Sequence, residues 1–541
     1  MSFIRTQFLV RDETGNIIKG SASICESIYK HTGGKSHSVQ RQVERLGKVI
    51  WLSDDGKRGI FLSGTRGLVE YDSRGNQFSE VDSGDPRLSG HGLFAPPAVH
   101  TVFGDSYLLL CFMASIGFPA ILSEMFSSET DRQRFLCHSL HSILKEGARI
   151  SCDLFVRKSV LSYLADSVPY ASLRTDTAFF TAMGDDNVKL RFFKSYIKLM
   201  RQTHPGFGRG CYVDSTPLPN DIQDNPFNAL CSHGVGHVAV QTRLVLILDE
   251  GTGLPVWYTL IPGNVLDVST VRQVTSDISD TLDIEVGSLV LDAGYVTRSL
   301  IEEYHIGAPK AMTARMPAKK GFPYKELYHE MKDKVGNGKY SFVRNSHKYF
   351  GHKKKLTLFG KQIWAYVYVD KLNAVLNSTK WMTAHPVEYE EMSMAEKTWT
   401  EVSFGYFVLL SNQEKTPAAM LDDYFGRTDI ETVIKTGKEY VNLLPLCKWN
   451  AVTIAGKILL DIIDLIVYLQ LRKKMAGTDT AITEMLGNAQ SLMCHRTKNG
   501  DITIETPNKQ LKEMAKKLGA EIPANLKIEQ LRQTALGNKK M

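Results

Sequence analysis

Three carboxylates in this chain stand where phosphate chemistry could be done. Asp214 follows the apolar run CYV, Asp292 follows VGSLVL, and Glu431 lies within YFGRTDIETVIKTGK, residues 424–438. Asp214 and Asp292 are expected at or near the C-terminal ends of strands, where open α/β sheets place their sites. A single Asp there is more often a turn residue or a helix cap, but two of them with a later Glu make a different proposition. Carboxylates converging on one point repel, and they stay ionised together when a cation holds them. Hard oxygen donors suit Mg2+ or Mn2+, which keep several waters and take few carboxylates plus substrate phosphate.

The last carboxylate belongs to a longer pattern. Tyr424, Arg427, Glu431 and Lys438 are spaced so that on one helix they fall within roughly 60° of one another. Polar residues at helical spacing usually make a solvated face, so the pattern carries weight only with the two upstream Asp residues. Beside such a site Tyr424, Arg427 and Lys438 would contact DNA phosphates, positioning the backbone and offsetting its charge. Two features argue for a break instead: Thr428 and Glu431 fit a capping box, and Gly437 could close a helix before Lys438. Glu439, the nearest rival for the third carboxylate, would point about 80° away from Glu431.

Between Lys334 and Lys361 there are seven Lys, one Arg and no Asp or Glu, with aromatics interleaved. A run of one sign is the footprint of a phosphate backbone, whereas a merely solvated surface mixes signs. Arg344, Lys348, Lys353, Lys354 and Lys355 are therefore candidate DNA contacts. A second basic stretch, KSHSVQRQVERLGK at 35–48, suits either phosphates or a charged, solvated strand. Cys231, His233 and His237 have zinc-like spacing but no evident fourth ligand. His347 and His352 are expected to extend the basic surface, and Asp249 and Glu250 to be solvated in a hairpin turn.

The elements that must position these groups follow from periodicity. Residues 1–100 alternate short apolar runs with turns, forming an N-terminal β and loop region that is a candidate DNA contact; 66–100 read as a loop or linker. Residues 101–204 have helical period and predict a helical domain. Residues 205–316 give a strand reaching Asp214, a hairpin about DEGTG, a helix at 267–282, a strand ending at Asp292, a helix at 297–305 and a closing strand. That order implies an α/β unit, a mixed sheet with flanking helices. Residues 317–414 alternate aromatic, β-branched and basic residues and predict a β-rich basic insertion. Residues 415–480 resume the core, with Thr416 as N-cap, Pro417 at the first helical position and an apolar helix at 451–474 under the sheet. Residues 481–541 predict a basic, partly helical tail.

A chain of 541 residues exceeds one ordinary core. With 43% hydrophobic and 23% charged residues it is expected to be globular rather than disordered. The net charge of +7 tolerates a polyanionic partner without proving one. Eight cysteines without a CxxC pair indicate neither a zinc ribbon nor a disulfide framework, so a reducing cytoplasm is expected. The apolar runs at 107–122 and 454–471 are interrupted by Gly and Pro or by charges, so both are expected to be buried elements rather than membrane spans.

The segments CYVDSTPL, PGN followed by Asp267, VLDAGY, and the pattern Tyr424, Arg427, Glu431, Lys438 resemble the DDE transposases of the IS4 group of bacterial insertion sequences, in its IS1634-type branch. The resemblance implies a ribonuclease H-like core with Asp214 on its first strand, Asp292 after its fourth and Glu431 on a following helix. It implies two Mg2+ or Mn2+ ions held by Asp214, Asp292 and Glu431, cleavage at element ends, and strand transfer into target DNA. DNA, both terminal inverted repeats and target, would be the partner of a homodimer in the synaptic complex, acting on the nucleoid. A nuclease of the same fold without strand transfer, or a DNA-binding protein with idle catalysis, are the alternatives.

Overall fold

The computed structural model describes the chain except residues 1, 12–14, 16, 33, 34, 64, 65, 82–84, 89–99, 145–150, 165–172, 232–237, 266–275, 277, 280, 283, 285, 427, 478–480, 498, 499 and 538–541. It is mixed α/β, and the chain divides into two compact units, residues 1–99 and 100–541.

The first unit is an antiparallel meander: β1 (Ser2–Arg11), β2 (Ile17–Thr32), β3 (Lys35–Leu52), β4 (Arg58–Ser63), β5 (Gly67–Asp72) and β6 (Gln77–Glu80), each paired with the next. Successive strand residues face opposite sides. Val49 accordingly joins Ile24, Leu46, Phe61 and Tyr71 in one cluster, while its neighbour Ile50 joins Ile60 and Leu88 in another. The expectation of a loop or linker over 66–100 fails for its first half. β5 and β6 occupy it, closed by the turn DSRGN, because Leu68, Val69, Tyr71 and Phe78 supply the apolar contacts that the surrounding Gly, Ser and Asp obscure in composition.

The second unit opens with β7 (His100–Val102) and a helical region from Gly104 to Thr203. Its main sheet holds β8 (Gly210–Pro219), β9 (Ala229–Cys231), β10 (Ala239–Asp249), β11 (Pro255–Pro262), β12 (Ser288–Leu291), β13 (Ala311–Arg315), β14 (Ser341–Arg344), β15 (His347–Leu358), β16 (Lys361–Asp370) and β17 (Tyr406–Ser411). Their order is β11-β10-β8-β12-β13-β17-β16-β15-β14, with β9 on β10. β12 runs parallel to β8 and to β13, and the other pairs are antiparallel, so the sheet is mixed.

Residues 317–414 depart from the β-rich insertion expected. Residues 371–405 are largely helical, in helices Lys371–Ala384, Pro386–Glu391 and Met394–Gly405, started by the Asp370 cap and by a capping box at Ser393 and Glu396. The strands of this stretch extend the core sheet itself, β16 and β13 both pairing with β17. The alternating window over 341–370 was legible; the amphipathic helices after it were masked by their aromatics.

The last residues form β18 (Met493–Arg496), β19 (Ile502–Ile504) and β20 (Asn525–Leu526), with helices Ile482–Ala489, Lys509–Leu518 and Ile528–Leu536 between and around them. β18 pairs with β7, and all three helices pack on helix Gly104–Ser115. This region is therefore an integral part of the fold, not the tail its charge suggested. Helix Ala451–Lys474 is buried along most of its length against helices Glu129–Leu144, Leu173–Met183 and Thr428–Tyr440. Among the described residues no single helix is long and apolar enough to cross a membrane; Gly104–Ser115 and Phe118–Met125, apolar enough together, meet at 83°.

Candidate active site

Asp214 lies at the centre of β8, not at its end. β10 pairs with β8 over its whole length, setting Leu246 opposite Asp214, whereas β12 pairs only with Gly210, Cys211 and Tyr212. Beyond Tyr212 one edge of β8 is left by β12, which is where Pro217, lacking an N–H, can be carried. Asp292 follows the last residue of β12 with extended backbone and heads a short 3-10 turn, Ala293–Tyr295. The pairing of β12 with β8 stops at Val290 and Tyr212, two residues short of each Asp; what relates the two carboxylates is Tyr295, whose hydroxyl senses both.

Glu431 is exposed on helix Thr428–Tyr440, which packs against β8. The single helix through 424–438 does not form. Helix Pro417–Phe425 ends at Gly426, which abuts the Tyr212 hydroxyl so closely that no side chain would fit there, and a new helix starts at Thr428. Gly437 is inside that helix. At its far end Lys438 donates to the Pro217 carbonyl at 3.3 Å. The connection and helix thus run alongside β8 from Tyr212 to Pro217, and Glu431 falls between these two anchors. Glu431 and Lys438, seven residues apart, share one helical face.

Near Asp214 is a buried cation that spacing alone did not reveal. Arg243 of β10 is 1% exposed and its Nε donates to Ser215 Oγ at 3.3 Å. Burial draws its pKa down, while Tyr295, Cys231 and Asp214 oppose that. Tyr295 is buried too; burial first, then Asp214 and Asp292, push its hydroxyl up to about 12 against the pull of Ser215 and Arg243. One phenol therefore senses both Asp residues. Burial, then Arg243, lowers the Lys438 pKa. The one signal for Arg243 in the sequence is a single cation inside the apolar run RLVLILD; Tyr295 closes the VLDAGY segment.

The other candidate contacts are dispersed. Tyr424 is buried, and Arg427 lies outside the described residues, as do Asp267, His233 and His237. Arg344 pairs with Asp422 at 2.5 Å, Lys353 with Glu414 at 2.7 Å and Lys354 with Glu330 at 2.6 Å. Lys353 and Lys355 both stand over the Trp364 ring, and Lys348 over Phe350. Three of the five cations thus meet carboxylates remote in sequence, which a window count over 334–361 could not include. His352 does not extend the surface: its ring nitrogens are buried without hydrogen-bond partners, and burial lowers its pKa to about 4. His347 is held by Asp370 at 2.8 Å. Asp249 is buried rather than solvated, accepting from the Gly208 and Thr252 amides at 2.8 and 2.7 Å. Glu439 is engaged by Lys435 on its own helix.

A hard divalent cation fits the chemistry of this donor set, since Asp214 and Asp292 offer carboxylate oxygens and Mg2+ takes few protein ligands. Among the described residues, however, no three His, Cys, Asp or Glu side chains are gathered closely enough to hold a metal ion.

An α/β unit with two acidic residues on adjacent strands of a mixed sheet is the setting in which the comparisons fall. Residues 205–459, a little under half of the chain, match the family model of the transposase DDE domain. Asp214, Asp292 and Glu431 all lie within the matched segment. No curated protein matches the chain. The cryo-EM structure of a piggyBac transposase synaptic complex with hairpin DNA is similar to it at 12% sequence identity and a TM-score of 0.32, over 71% of this chain and 70% of that one.

Proposed function

We propose that this chain is a DDE transposase that cuts DNA at the ends of an insertion sequence and joins those ends to target DNA. The observation that carries the reading is the transposase DDE match over 205–459, within which Asp214 lies on β8 and Asp292 directly follows its neighbour β12. In this reading the sheet around β8, β10, β11, β12 and β13 is a ribonuclease H-like core of the IS4 type.

Asp214, Asp292 and Glu431 would hold Mg2+ or Mn2+. Two bound ions would supply Lewis-acid stabilisation of the attacking and leaving oxygens in an in-line displacement. The chain's own part is positional. Arg243, buried beside Ser215, offsets the negative charge of Asp214. Lys438, tied to Pro217, fixes the helix that carries Glu431 against β8. Water attacks the phosphodiester at the element end and breaks its P–O3′ bond, freeing a 3′-hydroxyl; that hydroxyl then attacks a target phosphodiester, whose own P–O3′ bond breaks and whose 3′-oxygen leaves as a hydroxyl, taking the proton. Joining two ends implies a homodimer in the synaptic complex, acting on nucleoid DNA.

The test is a reaction with labelled duplex carrying the DNA that flanks this gene, a supercoiled plasmid and Mg2+. The wild type is expected to cut and to give joined product, and chelation by EDTA to stop both. Asp214→Ala, Asp292→Ala and Glu431→Ala are each expected to lower cutting at least a hundredfold while retaining DNA binding. Wild-type cutting in all three variants would refute the assignment. Cutting that never proceeds to joining would identify a nuclease instead.

A further inference from the structure

The longest strands in the molecule are β2 and β3, of 16 and 18 residues, and their neighbours do not follow them to their ends. β1 pairs with β2 only as far as Glu26, and β4 meets β3 only from Lys48 onward. From the Ser27–Gln40 pair to the Thr32–Lys35 pair the chain is therefore a ribbon of two strands, with no third on either side among the described residues. At about 3.4 Å per residue this arm is about 20 Å long. No residue from 27 to 45 whose side chain is described is buried. A bare two-stranded ribbon is marginal in water, so its length does not serve the core of its own unit.

The register sorts its side chains into two unlike faces. Gln42, Gln40 with Ser27, Ser38 with Tyr29, and Ser36 share one face. All are uncharged hydrogen-bond formers. The opposite face carries Lys30, His37 and Arg41 among Ile28 and Val39, with Glu26 at its base opposite Arg41 and accepting from Ser2. Between 27 and 45 the acidic residue is Glu44, and Arg66 already engages it at 2.9 Å.

We propose that this ribbon enters the major groove of duplex DNA, with the Gln and Ser face on base edges and the cations on flanking phosphates. The groove, about 12 Å wide, admits a two-stranded ribbon, and Gln is suited to bidentate contact with adenine. Lys and Arg on the outer face complement the phosphate walls. The choice of DNA over another polyanion rests on the transposase reading; the dimensions and the two-faced pattern do not. The arm is thereby a sequence-reading element separate from the carboxylates, spanning about four to six base pairs.

The experiment selects duplexes from a pool of random 20-base-pair DNA with the full chain. Wild type is expected to enrich a short motif, and so is Asp214→Ala. The double variant Gln40→Ala with Gln42→Ala is expected to lose the motif at least tenfold while retaining most non-specific binding and an unchanged melting temperature. Lys30→Ala with Arg41→Ala should weaken binding to all sequences alike and lower the slope of log affinity against log salt by about two. Enrichment of the same motif by the Gln variant, or of none by wild type, would overturn the proposal. So would a change of sedimentation without DNA in the Gln variant, which would make the ribbon a contact between copies. If Asp214→Ala cut like wild type yet enriched the motif, the catalytic reading would fail and the ribbon would stand.

Discussion

Buried polar side chains decide what several residues here do, and burial is what a residue's type conceals. Asp249 sits in a hairpin turn whose composition, DEGTG, suggests solvation, yet its carboxylate is the acceptor for two amides. Asp249→Ala leaves both donors short of a partner, an expected cost of about 1–3 kcal/mol, to be read in chemical denaturation. His352 gives a pH signature. Its folded pKa of about 4 lies below the ordinary 6.5. Between these values the unfolded chain takes up a proton that the folded chain refuses, so stability is intact above pH 6.5, falls as pH falls, and the loss ends near 4. His352→Leu is expected to lose less melting temperature than wild type between pH 7 and 5; equal losses would contradict it. At Asp292 strand, acid and turn do follow one another locally, as the sequence suggested, whereas at Asp214 the strand runs on to Pro219. Arg243 was not legible, because its meaning comes from Ser215 and Tyr295, brought in by two other segments.

At the level of elements, the break at Gly426 separates Tyr424 from Glu431 and Lys438 and so dissolves the single face their spacing suggested. Its cause is local: the backbone there is pressed on the Tyr212 hydroxyl, while Thr428 opens the next helix. The φ of −53° at Gly426 is open to any residue, so space alone forbids a side chain. Gly426→Ala is accordingly expected to destabilise by about 1–3 kcal/mol through overpacking. Adding Tyr212→Phe, which removes the oxygen nearest the new methyl, should recover part of that loss, and a double-mutant cycle by denaturant unfolding measures the coupling. Additive losses would show that the two positions do not press on each other. A break near Thr428 was readable in sequence; the tyrosine 214 residues upstream of Gly426 was not, because close approach between distant segments leaves no periodic trace.

Over the whole molecule, charge misled where hydrophobic pattern did not. From Arg496 onward ten cations face five carboxylates, which suggested an appendage. Leu511, Leu518 and Leu531 are nevertheless 2%, 1% and 0% exposed, and β18 completes a sheet with β7 from the other end of the unit. Basic side chains occupy the outer faces of helices whose inner faces are apolar, so a net charge count averages over the two faces and loses both. The consequence is measurable. Residues 1–99 close their own clusters about Phe61 and Ile60, while Leu531 belongs to the single large core of the second unit. Leu531→Ala removes a fully buried side chain at an expected cost of about 2–5 kcal/mol. The melting transition of the 100–541 unit should fall by several degrees and that of the 1–99 unit should stay in place, each followed by the temperature at which protease-sensitive peptides from that unit appear. A true appendage would tolerate Leu531→Ala with no shift in either transition, and that outcome would detach the C-terminal region from the fold.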